Sequence, residues 1–276
     1  MSGTKGIGIV LTSRDVILLR TLVTARILDC EQVKTIARFS SIRRTNRRLL
    51  KLVRAGLLRR WFVGTESGGQ RALYGLSPQG AHRIGETSQR LIRWKPDSLI
   101  VSSQFLAHQQ AVNAAFVEAR FRPLPTGATC EQWLTFNVPL SPSVPLVPDG
   151  YFEIVQDGVR YPMFLEVDMG TETATVWMQK VELYFKLAIG GEFERLFHEK
   201  RFRVLVLFHS ERRLHSIRRR IRSRTDKLFW FTTQQDVKQE GLWNAIWLRP
   251  GGGQKVRLLG GADAGSSQSF ESSATA

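Results

Sequence analysis

The chain has 276 residues with 42% hydrophobic and 23% charged side chains, the make-up of a soluble globular protein of about two domains. Its formal net charge of +16 excludes a neutral, self-contained surface and makes a polyanion, nucleic acid first and an anionic membrane surface second, the expected partner. No apolar run reaches the length of about 18 residues that a membrane span needs, Ile7–Leu11 is too short for a signal-peptide core, and Cys30 and Cys130 fit no zinc spacing; the expectation is a cytoplasmic protein with reduced thiols and no membrane partner.

The charge is segregated. Residues 1–100 hold 19 basic and 6 acidic side chains, residues 101–190 hold 5 and 9, and residues 191–276 hold 16 and 9. An acidic stretch between two basic ones suggests DNA-holding surfaces around a carboxylate site.

In chain order, Thr12 with Asp15 three residues later predicts a capped helix carrying Val16, Leu19, Leu22 and Val23 at helical spacing. A second helix is predicted over about 30–39. Ser40-Ser41 then introduces a third, over about 42–55, closed by Gly56. This third helix has an apolar face of Ile42, Leu49, Leu52 and Val53, and a cationic one of Arg43, Arg44, Arg47, Arg48 and Lys51. Residues 57–63 and 71–76 flank the Gly-rich segment 64–70 and predict a hairpin, with Arg71 at its second strand. Ser77-Pro78 opens another helix. The stretch AGLLRRWFVG…RALYGLSPQGAHRIG resembles bacterial winged helix-turn-helix proteins. That resemblance implies double-stranded DNA as partner, with the third helix in the major groove and the hairpin against the backbone. The alternative for the arginine face is a solvated helix surface, or a winged helix used for protein contact.

The boundaries expected are a winged helix over 10–90, a linker over 91–103, an α/β domain over 104–250 and a disordered tail over 251–276, of which 260–276 is rich in Gly, Ser and Ala. Residues 104–120 read as a helix; its lone His108 is more often structural than functional. Strands are predicted over 133–138, around 144–154, over 161–168 and over 203–208, with Asp157-Gly158 as a tight turn. Helices are predicted from about 173 to 189 and from 212 to 227. The last holds seven of its segment's arginines, among them Arg218, Arg219 and Arg222, with few acids nearby, and reads as a second phosphate-gripping surface or a solubilising helix.

The order helix, three strands, helix, strand, helix resembles the core of PD-(D/E)xK nucleases, giving an α+β chain with a mixed sheet. Pro148-Asp149-Gly150 and Glu166-Val167-Asp168 stand at the matching places. The resemblance implies that Asp149, Glu166 and Asp168 converge on Mg²⁺, with Lys180 replacing the lysine that Asp168 displaces. Lys180 and Tyr184 lie one turn apart on one helix face. Glu172 is either a further ligand or an acid favoured at a helix N-terminus. Over residues 10–230, and above all in VPDGYFEI, FLEVDMGTET and QKVELYFKLA, the chain resembles the replication-relaxation family. Membership implies a mobile-element DNA-binding protein of plasmid replication, relaxation or mobilisation, working beside other replication or transfer proteins. It leaves open whether the site nicks DNA with Mg²⁺ or is a non-catalytic pseudo-nuclease core in a replication-control protein.

Overall fold

The computed structural model describes residues 9–65, 68–87, 91–100 and 104–259. Its chain runs α1 (Ser13–Ala25), β1 (Leu28–Asp29), α2 (Cys30–Ile36), α3 (Ile42–Arg54), β2 (Leu58–Gly64), β3 (Gln70–Leu76), α4 (Pro78–Arg83) and β4 (Leu99–Ile100), then α5 (Gln104–Phe121), β5 (Ala128–Leu134), β6 (Gly150–Gln156), β7 (Val159–Asp168), α6 (Ala174–Ile189), α7 (Glu192–Phe197), β8 (Arg203–Phe208), α8 (Glu211–Arg222), β9 (Phe229–Thr233) and α9 (Gln234–Glu240). The class is α+β with mixed sheets.

Local chemistry sets the first helices. Thr12 and Asp15 form a reciprocal capping box on α1, Asp29 and Gln32 do the same on α2, and the Ser41 hydroxyl accepts from Arg44 N–H to start α3. Leu18, Leu19, Leu22, Val33, Ile36, Leu49 and Leu52 close one core between these helices. Strands β2 and β3 pair antiparallel over seven residues, and β1 adds to β3. The hairpin tip at Glu66 and Ser67 lies outside the described residues.

The five-stranded sheet has the order β5-β6-β7-β8-β9; its first two pairings are antiparallel and its last two parallel. Asp157 and Gly158, at φ +51° and +78°, make the two-residue turn between β6 and β7. Both faces are covered, so all but the first residues of β7 and β8 are buried and their side chains alternate between two cores. Met163, Leu165, Val167, Leu205 and Leu207 meet Ala111, Val112, Ala115 and Ala119 of α5. Phe164, Val204, Val206 and Phe208 meet Trp177, Val181 and Tyr184 of α6 and Leu214 and Ile217 of α8.

Helix α5 belongs to both halves of the molecule. Its Phe116 and Val117 sit in the core of the first three helices, while its alanines face the sheet. Buried Asn113 donates its amide to the carbonyls of Ala25 (2.9 Å) and Ile27 (2.5 Å).

Three expectations change here. Residues 91–100, expected as linker, pack on the hairpin: Ile92 is buried beside Trp61, Arg59 donates to the Ile92 carbonyl, and β4 pairs parallel with β2. Residues 251–259 are not disordered, because Leu258 and Leu259 are buried against Trp247 and Ile246 and Val256 bridges to Trp247; residues 260–276 lie outside the described residues. The strand expected over 133–138 lies at 128–134, where pairing with β6 fixes its register. Among the described residues no helix is long and apolar enough to cross a membrane. Cys30 and Cys130 are free.

Candidate functional site

The antiparallel pairing of β6 with β7 sets Gly150 opposite Leu165, so Asp149, just before β6, stands at the end of β7. Its Oδ2 accepts from Val167 N–H (2.8 Å) and lies 3.2 Å from Nε2 of His108 on α5. At Gly150 a Cβ would stand 3.0 Å from the Trp133 ring, a close approach that the missing side chain relieves. Glu166 is 1% exposed and points at α6, on the side of the sheet occupied by Phe164. There the Tyr184 hydroxyl donates to its Oε1 (2.7 Å) and Lys180 Nζ to its Oε2 (3.0 Å). Lys180 is also 3.0 Å from Glu172 Oε1. The shared helix face of Lys180 and Tyr184, one turn apart, thus converges on one carboxylate.

Burial raises the pKa of Glu166, and the charge of Asp149 adds to the rise against the pull of Lys180. Burial works against the Lys180 ammonium, but Glu166 and Glu172 outweigh it and raise its pKa, so it stays charged. The hydrogen bond to Asp149 raises the pKa of His108 against the opposing effect of burial. The result is a partly buried constellation of Asp149, Glu166, Glu172, Lys180 and His108 at one end of the sheet.

Asp168 does not join it. Its Oδ1 accepts from Gly170 N–H and its Oδ2 from Arg213 Nε (2.9 Å), and Arg213 also donates to the Glu172 carbonyl (2.5 Å). Asp168 leaves the expected convergence of three carboxylates: at 2% exposure it is paired with an arginine 45 residues away and organises the turn into α6. Among the described residues no three His, Cys, Asp or Glu side chains are grouped to hold a metal ion. Asp149 and Glu166 are the carboxylates that could offer hard oxygen donors to a cation such as Mg²⁺, with water completing its shell.

The cationic residues divide in the same way. Arg43, Arg44, Arg47 and Lys51 are exposed on α3, and none of them takes part in an ion pair among the described residues. Arg48 departs from this face. It donates through Nε and Nη2 to buried Asp15 and also to the Val10 carbonyl. Arg71 donates to Asp29 (3.1 Å) and to Gln110 of α5. On α8, Arg219 and Arg222 are exposed, but Arg218 is turned inward to the carbonyls of Arg249 and Gly252. The scarcity of acids near these arginines in sequence misleads, because Arg213 and Arg224 find Asp168 and Glu182 from other elements.

The sequence model of the replication-relaxation family matches residues 19–199. The chain belongs to the replication-relaxation family. The match takes in α3, the hairpin, Asp149, Glu166 and Lys180, and ends before β8. Among solved structures, restriction endonuclease FokI is similar at a TM-score of 0.32 and 14% identity, over 83% of this chain and 43% of that one. The family chain therefore spans less than half the length of that endonuclease. No curated protein matches.

His108 and Arg213 are the site residues that sequence reading undervalues. Their partners lie 41 and 45 residues away, so only packing brings them in.

Proposed function

We propose that this replication-relaxation protein binds double-stranded DNA through α3 and the β2–β3 hairpin, as a winged helix, and serves DNA processing in mobile-element replication. The observation that carries the reading is the exposed stripe of Arg43, Arg47 and Lys51, cations in no ion pair among the described residues, on a helix that the hairpin flanks. Guanidinium groups so placed bridge phosphates and donate paired bonds to guanine edges.

We further propose that the site at Asp149 and Glu166 cuts a strand of the bound DNA with Mg²⁺. Mg²⁺ held there supplies a Lewis acid for the phosphate and an activated water. Asp149 and Glu166 would hold it. Lys180 stands beside them to orient the water and balance charge on the phosphate. A second reading has its own observation: both oxygens of Glu166 are occupied by Lys180 and Tyr184, which suits a core that grips DNA without cutting it.

The deciding experiment incubates the chain with supercoiled and linear DNA, with and without Mg²⁺ or Mn²⁺, and follows thermal melting alongside. Under the cleavage reading, the metal raises the melting temperature by mass action and nicks the supercoiled form. Asp149→Ala and Glu166→Ala lose both effects while duplex binding persists. Duplex binding with no metal response leaves the accessory, non-catalytic reading.

A further inference from the structure

Arg26, at the corner between α1 and β1, has φ +62°, a backbone conformation that side-chain-bearing residues hold only where their surroundings enforce it. The enforcement comes from α5. Asn113, 2% exposed, bonds the carbonyls of Ala25 and Ile27 on either side of Arg26, and the Arg26 N–H itself bonds the Leu22 carbonyl. The guanidinium lies over the ring of Phe105, 5.2 Å from its centre. Its Nε is buried without a hydrogen-bond partner, and no carboxylate pairs with Arg26 among the described residues. A guanidinium held in place with no carboxylate partner can take a phosphate through charge-assisted hydrogen bonds.

That cation lines a cavity of about 390 Å³ between α1, α5 and the segment leading into β6. Phe105, 45% exposed, and Phe136 supply rings, Asn137 a polar side chain, and the pair His108–Asp149 stands on the same wall. Cationic groups beside exposed aromatic rings are how proteins hold single strands, with phosphate on the charge and base on the ring. A cavity of this volume admits one nucleotide and no stack of base pairs. Because Asp149 borders it, whatever enters meets that carboxylate.

We propose that this cleft captures one nucleotide of an unpaired DNA strand, its phosphate on Arg26, and leads that strand to Asp149. The proposal rests on the reading of that site as one that receives DNA. It adds a second, strand-selective foothold distinct from the duplex-binding stripe of α3, and makes the α1 corner a wall of the site.

The test measures anisotropy of a labelled oligothymidylate and of a labelled random duplex with the full chain, without metal. Arg26→Asn keeps a residue that tolerates positive φ, and Phe105→Ala removes a half-exposed ring; melting curves check that both variants are folded. Each should weaken single-strand binding about tenfold, and Arg26→Asn should lower the single-strand salt slope by about 0.7, with duplex affinity held within twofold. Arg43→Ala with Arg47→Ala should do the reverse. Thymidine monophosphate should compete only weakly. Unchanged single-strand affinity in both folded variants overturns the proposal, as does an equal loss for strand and duplex. Monophosphate binding as tight as that of the oligomer overturns it in favour of a free-nucleotide site. The metal response is read separately, so strand capture without any metal effect keeps this foothold and removes cleavage.

Discussion

Two buried aspartates show how a single charge is assigned by its partner. Asp15, 1% exposed, receives Arg48 Nε at 2.8 Å and the Thr12 N–H and hydroxyl at 2.7 Å each. Burial pushes its pKa up, but the hydrogen bonds from Arg48 and Thr12 prevail and lower it. A carboxylate with a lowered folded-state pKa contributes stability that is present above its ordinary range and is lost as pH falls through the folded value. Asp15→Asn should therefore cost about 2 kcal/mol at neutral pH, and the difference from wild type should shrink below about pH 4 in urea titrations. Arg48→Ala should destabilise as well, so its DNA titration reports folding as much as DNA binding. Asp168 gives the matching case at the carboxylate site. Asp168→Asn should lower the melting temperature by unpairing Arg213 yet keep any divalent-metal shift, whereas Glu166→Gln should remove that shift. Loss of the metal shift in Asp168→Asn as well would return Asp168 to the ligand set.

At the scale of elements, α3 and α8 have similar composition and different accounts. The cations of α3 line its outer face because Thr45, Leu49 and Leu52 take the inner one. Replacing Arg43, Arg47 and Lys51 by Ala should weaken duplex binding strongly and lower the log–log salt slope by about 0.9 for each phosphate that the chain no longer neutralises, with melting little changed. Helix α8 is mixed. Arg219→Ala with Arg222→Ala should weaken binding to random and specific DNA alike. Arg218→Ala should instead destabilise the chain, since the carbonyls of Arg249 and Gly252 lose their donor. Helices α1, α3 and α6 were legible in the sequence because caps such as Thr12, Ser41 and Thr173 act within three residues, whereas the short helices α7 and α9 were not. Strand β9, Phe229–Thr233, was not. It is a short, wholly buried run whose pairing with β8 carries no local signature.

For the whole molecule, α5 is the member on which both halves depend. One face closes the core of the first three helices, the other closes the sheet, and its His108, Gln110 and Asn113 hold Asp149, Arg71 and the corner at Arg26. The far end of the described chain is structural too. Ending the protein after Pro250 removes buried Leu258 and Leu259 and the Gly252 carbonyl, and should cost about 4 kcal/mol or more on the scale of large core deletions, read as a lower midpoint in denaturant. A truncated chain as stable as the whole would show that these leucines fill no core.

By itself, the sequence determined what depends on near neighbours. The capped helices, the Asp157-Gly158 turn, the cationic side of α3 and the shared helix face of Lys180 and Tyr184 all follow from periods and spacings within one element or turn. The tertiary structure alone decided which charges stay available. Asp15 with Arg48, Asp29 with Arg71, His108 with Asp149 and Arg213 with Asp168 are separated by 33 to 45 residues. An ion pair falls off with distance in space and ignores distance along the chain, so residue type and local pattern cannot say whether an arginine meets a phosphate or a buried carboxylate of its own protein.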